Sequence, residues 1–162
     1  MAKANSKSAP TPESNATLTR QQLIDHLNDD LAREYQAVIA YVVYSTTIKG
    51  AQYMYIAQEL EKHAGEELAH ALTVAKQIDY LGGEVTAKPK PVRTSDDPKE
   101  MLRFDLDNEA TTIKAYRQRV RECESLGEFA IGEHIRENMK QEQEHLTDLA
   151  EALGIEPPNL SD

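Results

Sequence analysis

Cysteine and long apolar runs are almost absent from this 162-residue chain, and each absence excludes a class of protein. Cys123 is the only cysteine, so an intrachain disulfide cannot form and a thiolate-based zinc or iron–sulfur site is excluded. A lone cysteine suits the reducing interior of a cell, so we expect a cytoplasmic location, with Cys123 as a small buried apolar residue. No apolar run approaches the roughly 18 residues that a membrane span requires.

Regular structure is predicted to be missing at both ends of the chain. Residues 1–17 are rich in alanine, serine and proline and lack both periodicity and the apolar core of a secretory signal, so we expect a disordered tail. Residues 155–162 include Pro157 and Pro158, which predict a second, short tail. The stretch between them, residues 18–154, has the size of one domain.

Positive charge is also scarce. The chain has 18 lysines and arginines against 28 aspartates and glutamates, which gives a formal net charge of −10. Nucleic-acid binding needs a cationic face, so we expect no nucleic-acid partner, and Lys3 and Lys7 of the first tail would add only a weak attraction. An acidic surface instead attracts metal cations.

Helix-breaking residues are few, and they divide the middle of the chain into four long segments with helical spacing. We predict helices over residues 19–49, 52–81 and 97–126, and a fourth that ends near Gly154. Thr19 and Gln22 have the spacing of a capping box, and Asp97 followed by Pro98 resembles a capped helix start.

The lengths of the segments and of their connections predict the topology. Helices of about 30 residues are about 45 Å long, and the short links at Gly50 and Gly127 make two antiparallel hairpins. Residues 84–96 are long enough to run roughly 40 Å along such a hairpin. We therefore predict an all-α four-helix bundle of the ferritin-like kind, with one long crossover between helices 2 and 3.

The core-facing stripe of each predicted helix is interrupted near its middle by a glutamate, and two of these glutamates are followed three residues later by histidine. Either Glu-x-x-His pair alone is common on a solvated helix face. The joint pattern is distinctive because every helix contributes and the spacing repeats, with 33 residues from Glu34 to Glu67 and from Glu109 to Glu142. The six residues are Glu34, Glu67, His70, Glu109, Glu142 and His145.

Four carboxylates in one core need cations, because burying them without a partner would cost many kcal/mol. Two divalent ions would balance the charge. Oxygen and imidazole donors without thiolate suit iron or manganese, and also zinc.

These residues resemble the pattern of the bacterioferritins over residues 19–153, and residues 100–106 before Glu109 are similar to the corresponding segment of that family. The resemblance implies two irons per subunit, with Glu34 and Glu109 as terminal ligands and Glu67 and Glu142 as bridges. His70 and His145 would each hold one ion. Tyr41 lies seven residues after Glu34, where the family has a redox-active tyrosine; otherwise it would be a core aromatic residue.

Two features depart from that family. Leu68 stands where bacterioferritins have a haem-ligating methionine, so we expect no haem. Only nine residues follow Leu153, too few for the fifth helix of full-length ferritins, and the length resembles the smaller starvation-type ferritins. We therefore expect a closed homo-oligomeric cage, a 12-mer rather than a 24-mer, with a dimer as the fallback.

The resemblance predicts an iron-storage protein with ferroxidase activity, oxidising Fe(II) with O2 or H2O2. A peroxidase or manganese catalase is the main alternative, and a non-enzymatic cage that protects DNA is opposed by the negative charge. His63 and Glu66 lie one turn before the ligands, where they would either guide iron or simply pack as polar residues.

Overall fold

The computed structural model describes residues 18–161 and contains four long helices. They are α1 (Arg20–Thr47), α2 (Met54–Tyr80), α3 (Pro98–Ser125) and α4 (Phe129–Leu153). The all-α prediction is confirmed. None of the helices within residues 18–161 has an apolar stretch that could cross a bilayer. The predicted disordered tail at residues 1–17, and Asp162, lie outside the described residues.

Local capping explains where the helices begin and end. The Thr19 side chain accepts from the backbone N–H of Gln22, whose side chain accepts in turn from the backbone N–H of Thr19, as the capping-box spacing predicted. Asp97 accepts from the backbone N–H of Lys99 at the start of α3. The helix bounds at the first hairpin differ slightly from the prediction, because Ile48 is extended and residues 51–53 form a 3-10 turn before α2.

The connection between α2 and α3 follows α1 and is fastened to it by polar contacts. The side chain of Asn28 donates to the carbonyl of Glu84 (2.9 Å), and the backbone N–H of Lys90 donates to the carbonyl of Ala32 (2.9 Å). Further along, the Tyr44 hydroxyl donates to the carbonyl of Arg93. The connection thus returns the chain to the other end of the first hairpin before α3 begins.

The apolar core consists of two clusters that occupy the two halves of the bundle. One cluster includes Leu27, Val74 and Ile135, and the other includes Tyr44, Leu60 and Leu102, all at most 1 % exposed. Burying each such side chain contributes about 1.5–3 kcal/mol. The polar layer that carries the six glutamates and histidines lies in the middle of the helices, so both clusters support it.

The residues after α4 return to the bundle. Residues 155–161 are not helical, yet Leu160 is 9 % exposed and its carbonyl accepts from Nη1 of Arg117 at 2.6 Å. The predicted short tail is therefore irregular but docked against α3.

Candidate metal centre

All six residues that the sequence pattern selected lie together in the middle of the bundle. Each of the four helices contributes one glutamate, and α2 and α4 each add a histidine one turn later. Their exposure is at most 3 % of the residue surface: Glu34 1 %, Glu67 1 %, His70 1 %, Glu109 3 %, Glu142 0 % and His145 1 %.

The six side chains form two overlapping sets of four. In each set, one nitrogen or oxygen atom of every member lies within 4.8 Å of those of the others. Glu67 and Glu142 belong to both sets, whereas each remaining residue belongs to one. The first set is Glu34, Glu67, His70 and Glu142, and the second is Glu67, Glu109, Glu142 and His145. This geometry can hold two ions, with two carboxylates facing both.

Both histidines direct Nδ1 into the centre and are held from behind through Nε2. Nδ1 of His70 is 3.0 Å from a Glu142 oxygen, and Nδ1 of His145 is 2.8 Å from a Glu67 oxygen. Nε2 of His70 lies 2.7 Å from Oε1 of Gln141, and Nε2 of His145 lies 2.9 Å from a carboxylate oxygen of Glu66. Such outer partners fix the ring orientation that a metal ligand needs.

Two fully buried tyrosines hold the unshared glutamates. The Tyr41 hydroxyl donates to Glu109, and the Tyr116 hydroxyl donates to Glu34. Tyr116 follows Glu109 by seven residues, just as Tyr41 follows Glu34. The sequence analysis did not single out Tyr116, and this repeated spacing was the signal that could have found it.

The spacing reflects a repeat between the two hairpins. Each residue that the first hairpin contributes to the centre has an identical counterpart 75 positions later, in the second hairpin. The rule holds for Glu34 and Glu109, Tyr41 and Tyr116, Glu67 and Glu142, and His70 and His145. The two hairpins therefore contribute equivalent ligands to the centre.

Several buried polar atoms at the centre have no hydrogen bond within residues 18–161. They are Oε2 of Glu34, Oε1 of Glu67, both carboxylate oxygens of Glu142, and Nδ1 of His70 and of His145. Buried polar atoms are seldom left without a partner, and divalent cations would supply one to each of these. The carboxylate and imidazole donors suit iron or manganese, and they could also bind zinc.

The pKa shifts show how the centre balances charge without a cation. Burial, together with the nearby Glu142 and Glu67 carboxylates, raises the pKa of Glu34 well above its ordinary value. Burial and Glu142 raise the pKa of Glu109 to about 7. Burial alone would lower the pKa of His70 and His145, but contact with the carboxylates raises both. In the metal-free protein, bound protons therefore supply the positive charge that metal ions would otherwise supply.

Residues 24–156 match the family described as the ferritin-like domain. The chain belongs to this family. It is 30 % identical to the bacterioferritin of Desulfovibrio desulfuricans over 88 % of this chain and 80 % of that protein. It is 27 % identical to the bacterioferritin of Rhodobacter capsulatus over 80 % of this chain and 81 % of that protein.

A solved structure shares the fold. It is described as one of the ferritin-like, diiron-carboxylate proteins from Bacillus anthracis, with a TM-score of 0.80 and 31 % identity. The match covers 83 % of this chain and 96 % of that one. The ferritin-like fold and the resemblance inferred from the sequence are therefore confirmed.

Outside the two sets, the ferritin-like bundle brings a third histidine to the centre. His63 is 1 % exposed, and its ring stacks on that of His145 with the centroids 4.0 Å apart. Its Nε2 lies 3.2 Å from Oδ2 of Asp148. Burial and the neighbouring His145 lower the pKa of His63 to about 4, so its imidazole is neutral at pH 7. Sequence reasoning singled out His63 and Glu66 but missed Asp148.

Cys123 packs in the apolar core, and Leu68 lies at the surface. Cys123 is fully buried, and burial raises the pKa of its thiol to about 11, so it is not a thiolate at neutral pH. Leu68 is 51 % exposed on the outer side of α2.

A buried network of ion pairs that joins α1 and α3 was not predicted. Nε of Arg119 donates to Oδ2 of Asp30 at 2.6 Å, and Arg119 also pairs with Glu122. Asp30 is 0 % exposed and Arg119 is 5 % exposed. The counterpart of Asp30 in the second hairpin is Asp105, which is 1 % exposed but has no hydrogen bond at Oδ2 within the described residues. Burial and then Glu109 raise the pKa of Asp105 well above its ordinary value.

Proposed function

We propose that the protein is an iron-storage protein whose di-iron centre oxidises Fe(II), with Glu34, Glu67, His70, Glu109, Glu142 and His145 as ligands. The observation that carries this proposal is the pair of overlapping ligand sets that share two carboxylates. The names of the relatives support it, since they are bacterioferritins and a diiron-carboxylate protein.

Fe(II) is the substrate, and the ligand set suits its oxidation. Each ion takes one histidine and one unshared glutamate, while Glu67 and Glu142 bridge the pair. Two Fe(II) ions bring four positive charges against four carboxylates, so the centre is neutral once the imidazoles are neutral. Coulomb attraction to the carboxylates grows with the charge of the ion, so this centre favours Fe(III) over Fe(II).

The oxidant takes the electrons that the iron loses. One electron from each Fe(II) reduces H2O2, which with two protons becomes two molecules of water; O2 is the other candidate oxidant. Tyr41 is proposed to supply the second electron when H2O2 meets a centre that holds a single Fe(II): the phenol loses one electron and its proton, and H2O2 with that proton and one more becomes two molecules of water. The Tyr41 hydroxyl donates to Glu109 and its ring lies 6.1 Å from that of His145, which places it beside the centre.

A cavity of about 150 Å³ between α1 and α3 gives small molecules a route to the centre. Glu34, Glu67 and Glu109 line its inner end, and the half-buried Gln36 and the exposed Thr111 line its outer end. Its size suits an oxidant of two or a few atoms.

Storage of iron needs an enclosed volume, so the proposal includes a closed homo-oligomer, with a 12-mer as the predicted size. The proposed location of the protein is the cytoplasm. Four exposed apolar side chains support self-association: Ile39 is 41 % exposed, Val42 51 %, Leu68 51 % and Leu72 54 %. They lie on α1 and α2, the two helices of one hairpin, and exposed apolar patches often mark contact sites. A solution mass near twelve times 18.2 kDa supports the cage, and a stable dimer contradicts storage.

The proposal includes no haem, because Leu68 offers no sulfur ligand. A stoichiometric Soret band in protein purified from a haem-producing host would contradict this part. The di-iron centre does not depend on it.

Stopped-flow oxidation of Fe(II) by O2 and by H2O2 tests the proposal. Glu67→Ala should slow the rapid phase by about 100-fold, because Glu67 contacts both ions, whereas the exposed Glu61→Ala should behave as wild type. A wild-type rate in Glu67→Ala rejects the site. Disproportionation of H2O2 by the manganese-loaded protein, without oxidation of iron, would favour the manganese catalase alternative.

A further inference from the structure

The two histidines of the centre are held from behind by different chemical groups. Nε2 of His145 lies 2.9 Å from Oε2 of Glu66, a carboxylate. Nε2 of His70 lies 2.7 Å from Oε1 of Gln141, an amide. Gln141 follows Glu66 by 75 residues, the same interval that relates the ligands of the two hairpins. The ligands are therefore duplicated, whereas the groups behind the two rings are not.

This difference makes one imidazole the better metal ligand. When Nδ1 of each ring binds a cation, the ring proton lies on Nε2 and is donated to Glu66 by His145 and to Gln141 by His70. A hydrogen bond to an ionised acceptor is roughly twice as strong as one to a neutral acceptor. A carboxylate behind a metal-bound imidazole also makes that imidazole more basic. His145 is therefore the stronger of the two histidine ligands.

The charges further out act in the opposite direction but are screened. Nζ of Lys62 lies 3.7 Å from Oε1 of Glu66, and the counterpart of Lys62 in the second hairpin is the acidic Glu137. Both of these side chains are 61 % exposed, so water and salt weaken their fields. Glu66 is half-buried and accepts directly from His145, so its charge outweighs theirs at the ring.

We propose that Glu66 and Gln141 make the two metal positions unequal, so that a single divalent cation occupies the position beside His145 and Glu109. The proposal rests on the ligand assignment of the proposed function. Replacing the outer partner of a metal-bound histidine changes metal affinity by roughly 10- to 100-fold, so the two positions should differ by about tenfold or more. The second cation then fills the other position.

The preference also selects which tyrosine lies beside the first iron. The Tyr41 hydroxyl donates to Glu109, and the Tyr41 ring lies 6.1 Å from that of His145. Tyr116 donates to Glu34 in the other half. When H2O2 meets a chain that holds one Fe(II), the ion and Tyr41 each give one electron, and H2O2 takes up the phenol proton and one further proton to become two molecules of water. Tyr116 stays reduced because the position beside it is empty.

Anomalous diffraction at the cobalt edge measures the preference without redox chemistry. In crystals of the full chain prepared with about half a Co(II) per chain, the position beside His145 should have about ten times the cobalt occupancy of the position beside His70. Glu66→Gln should make the two occupancies nearly equal, because an amide then lies behind both rings. Gln141→Glu should also equalise them, and it replaces the first variant if that one does not fold.

The wild-type result separates this proposal from the proposed function. Equal cobalt at the two positions overturns the proposal and leaves the ligand assignment intact, whereas cobalt at neither position overturns both. Unequal cobalt supports the proposal even if the protein fails to oxidise iron.

Exchanging the two outer partners is the sharper test. Glu66→Gln combined with Gln141→Glu keeps the net charge and should move most of the cobalt to the position beside His70. The matched control, Glu61→Gln with Gln143→Glu, makes the same exchange at exposed positions and should keep the wild-type preference. Helix content by circular dichroism checks that each variant is folded.

Two outcomes of this exchange would count against the role of Glu66. A preference that stays beside His145 in the exchanged variant means that another difference between the halves sets it, such as Arg119 at the place equivalent to Tyr44, and overturns the proposal. Loss of the preference in Lys62→Gln would assign it to the exposed lysine and overturn it as well.

Electron paramagnetic resonance gives a readout that a purely structural role of Glu66 would not move. With at most one Fe(II) per chain and added H2O2, the exchanged variant should form its radical on Tyr116. Adding Tyr116→Phe to that variant should therefore abolish the signal, and adding Tyr41→Phe should not. A radical that remains on Tyr41 in the exchanged variant overturns the proposal, whereas its transfer to Tyr116 supports it.

Discussion

Metal binding at the centre should release protons, because its ligands hold protons in the metal-free protein. Contact with carboxylates raises the pKa of His70 and His145, so both imidazoles are charged at pH 7. Nδ1 must lose its proton to bind a metal ion. Glu34 also has a raised pKa, and that of Glu109 is about 7. Binding of two Co(II) at pH 7 should therefore release at least two protons per chain, and up to about four.

The same reasoning fixes the pH dependence and its sign. The metal-free centre binds more protons than the loaded one, so affinity rises with pH and falls in acid. Each released proton changes the binding free energy by about 1.4 kcal/mol per pH unit, so two protons give about 2.7 kcal/mol, or roughly 100-fold, for the pair of ions.

Calorimetric titration in two buffers with different ionisation enthalpies measures the released protons directly. His134→Gln, at a surface histidine with a 47 % exposed side chain, should leave the count unchanged. Release of less than one proton per two tightly bound Co(II), or an affinity that stays constant from pH 6 to 8, would refute the reasoning.

Three further predictions concern the surroundings of the centre. Arg119→Met should lower the free energy of unfolding in urea by about 3–5 kcal/mol, because it leaves Asp30 with less charge compensation in a buried place; a loss below 1 kcal/mol contradicts this. Asp105→Asn should stabilise the metal-free protein by about 1–3 kcal/mol at pH 7. Because the pKa of Asp105 is raised in the folded protein, the free energy of unfolding of the wild type falls as the pH rises above 3.8, the ordinary pKa of aspartate. The stabilisation by Asp105→Asn should therefore be smaller near pH 4 than at pH 7. A stabilisation that does not change with pH would contradict the raised pKa. Tyr41→Phe should abolish a tyrosyl radical seen by electron paramagnetic resonance after H2O2 treatment, whereas Tyr116→Phe should retain it.

The helices and the six central residues could be predicted because helical periodicity and capping act within a single segment. Polar residues at the middle of four apolar stripes are visible without knowing how the helices pack. The capping box at Thr19 and the Asp97–Pro98 start are similarly local, and the structure contains both.

What could not be predicted depends on contacts between helices. In α1, Tyr44 is buried at 1 % exposure, whereas its neighbour Ser45 is only half-buried. Neighbours one residue apart both fall within a broad apolar stripe, so periodicity does not choose between them. Asp30 and Asp105 were missed because buried aspartates are rare without a partner, and the partner Arg119 comes from another helix.

Rapid oxidation of Fe(II) added in increments to the metal-free protein tests the central claim most directly. The amplitude of the fast phase should rise linearly and reach its limit at two Fe(II) per chain, because two overlapping ligand sets share Glu67 and Glu142. The limit should disappear in Glu67→Ala and persist in Glu61→Ala. A limit at one Fe(II) per chain, or no fast phase in the folded wild type, would contradict the di-iron centre.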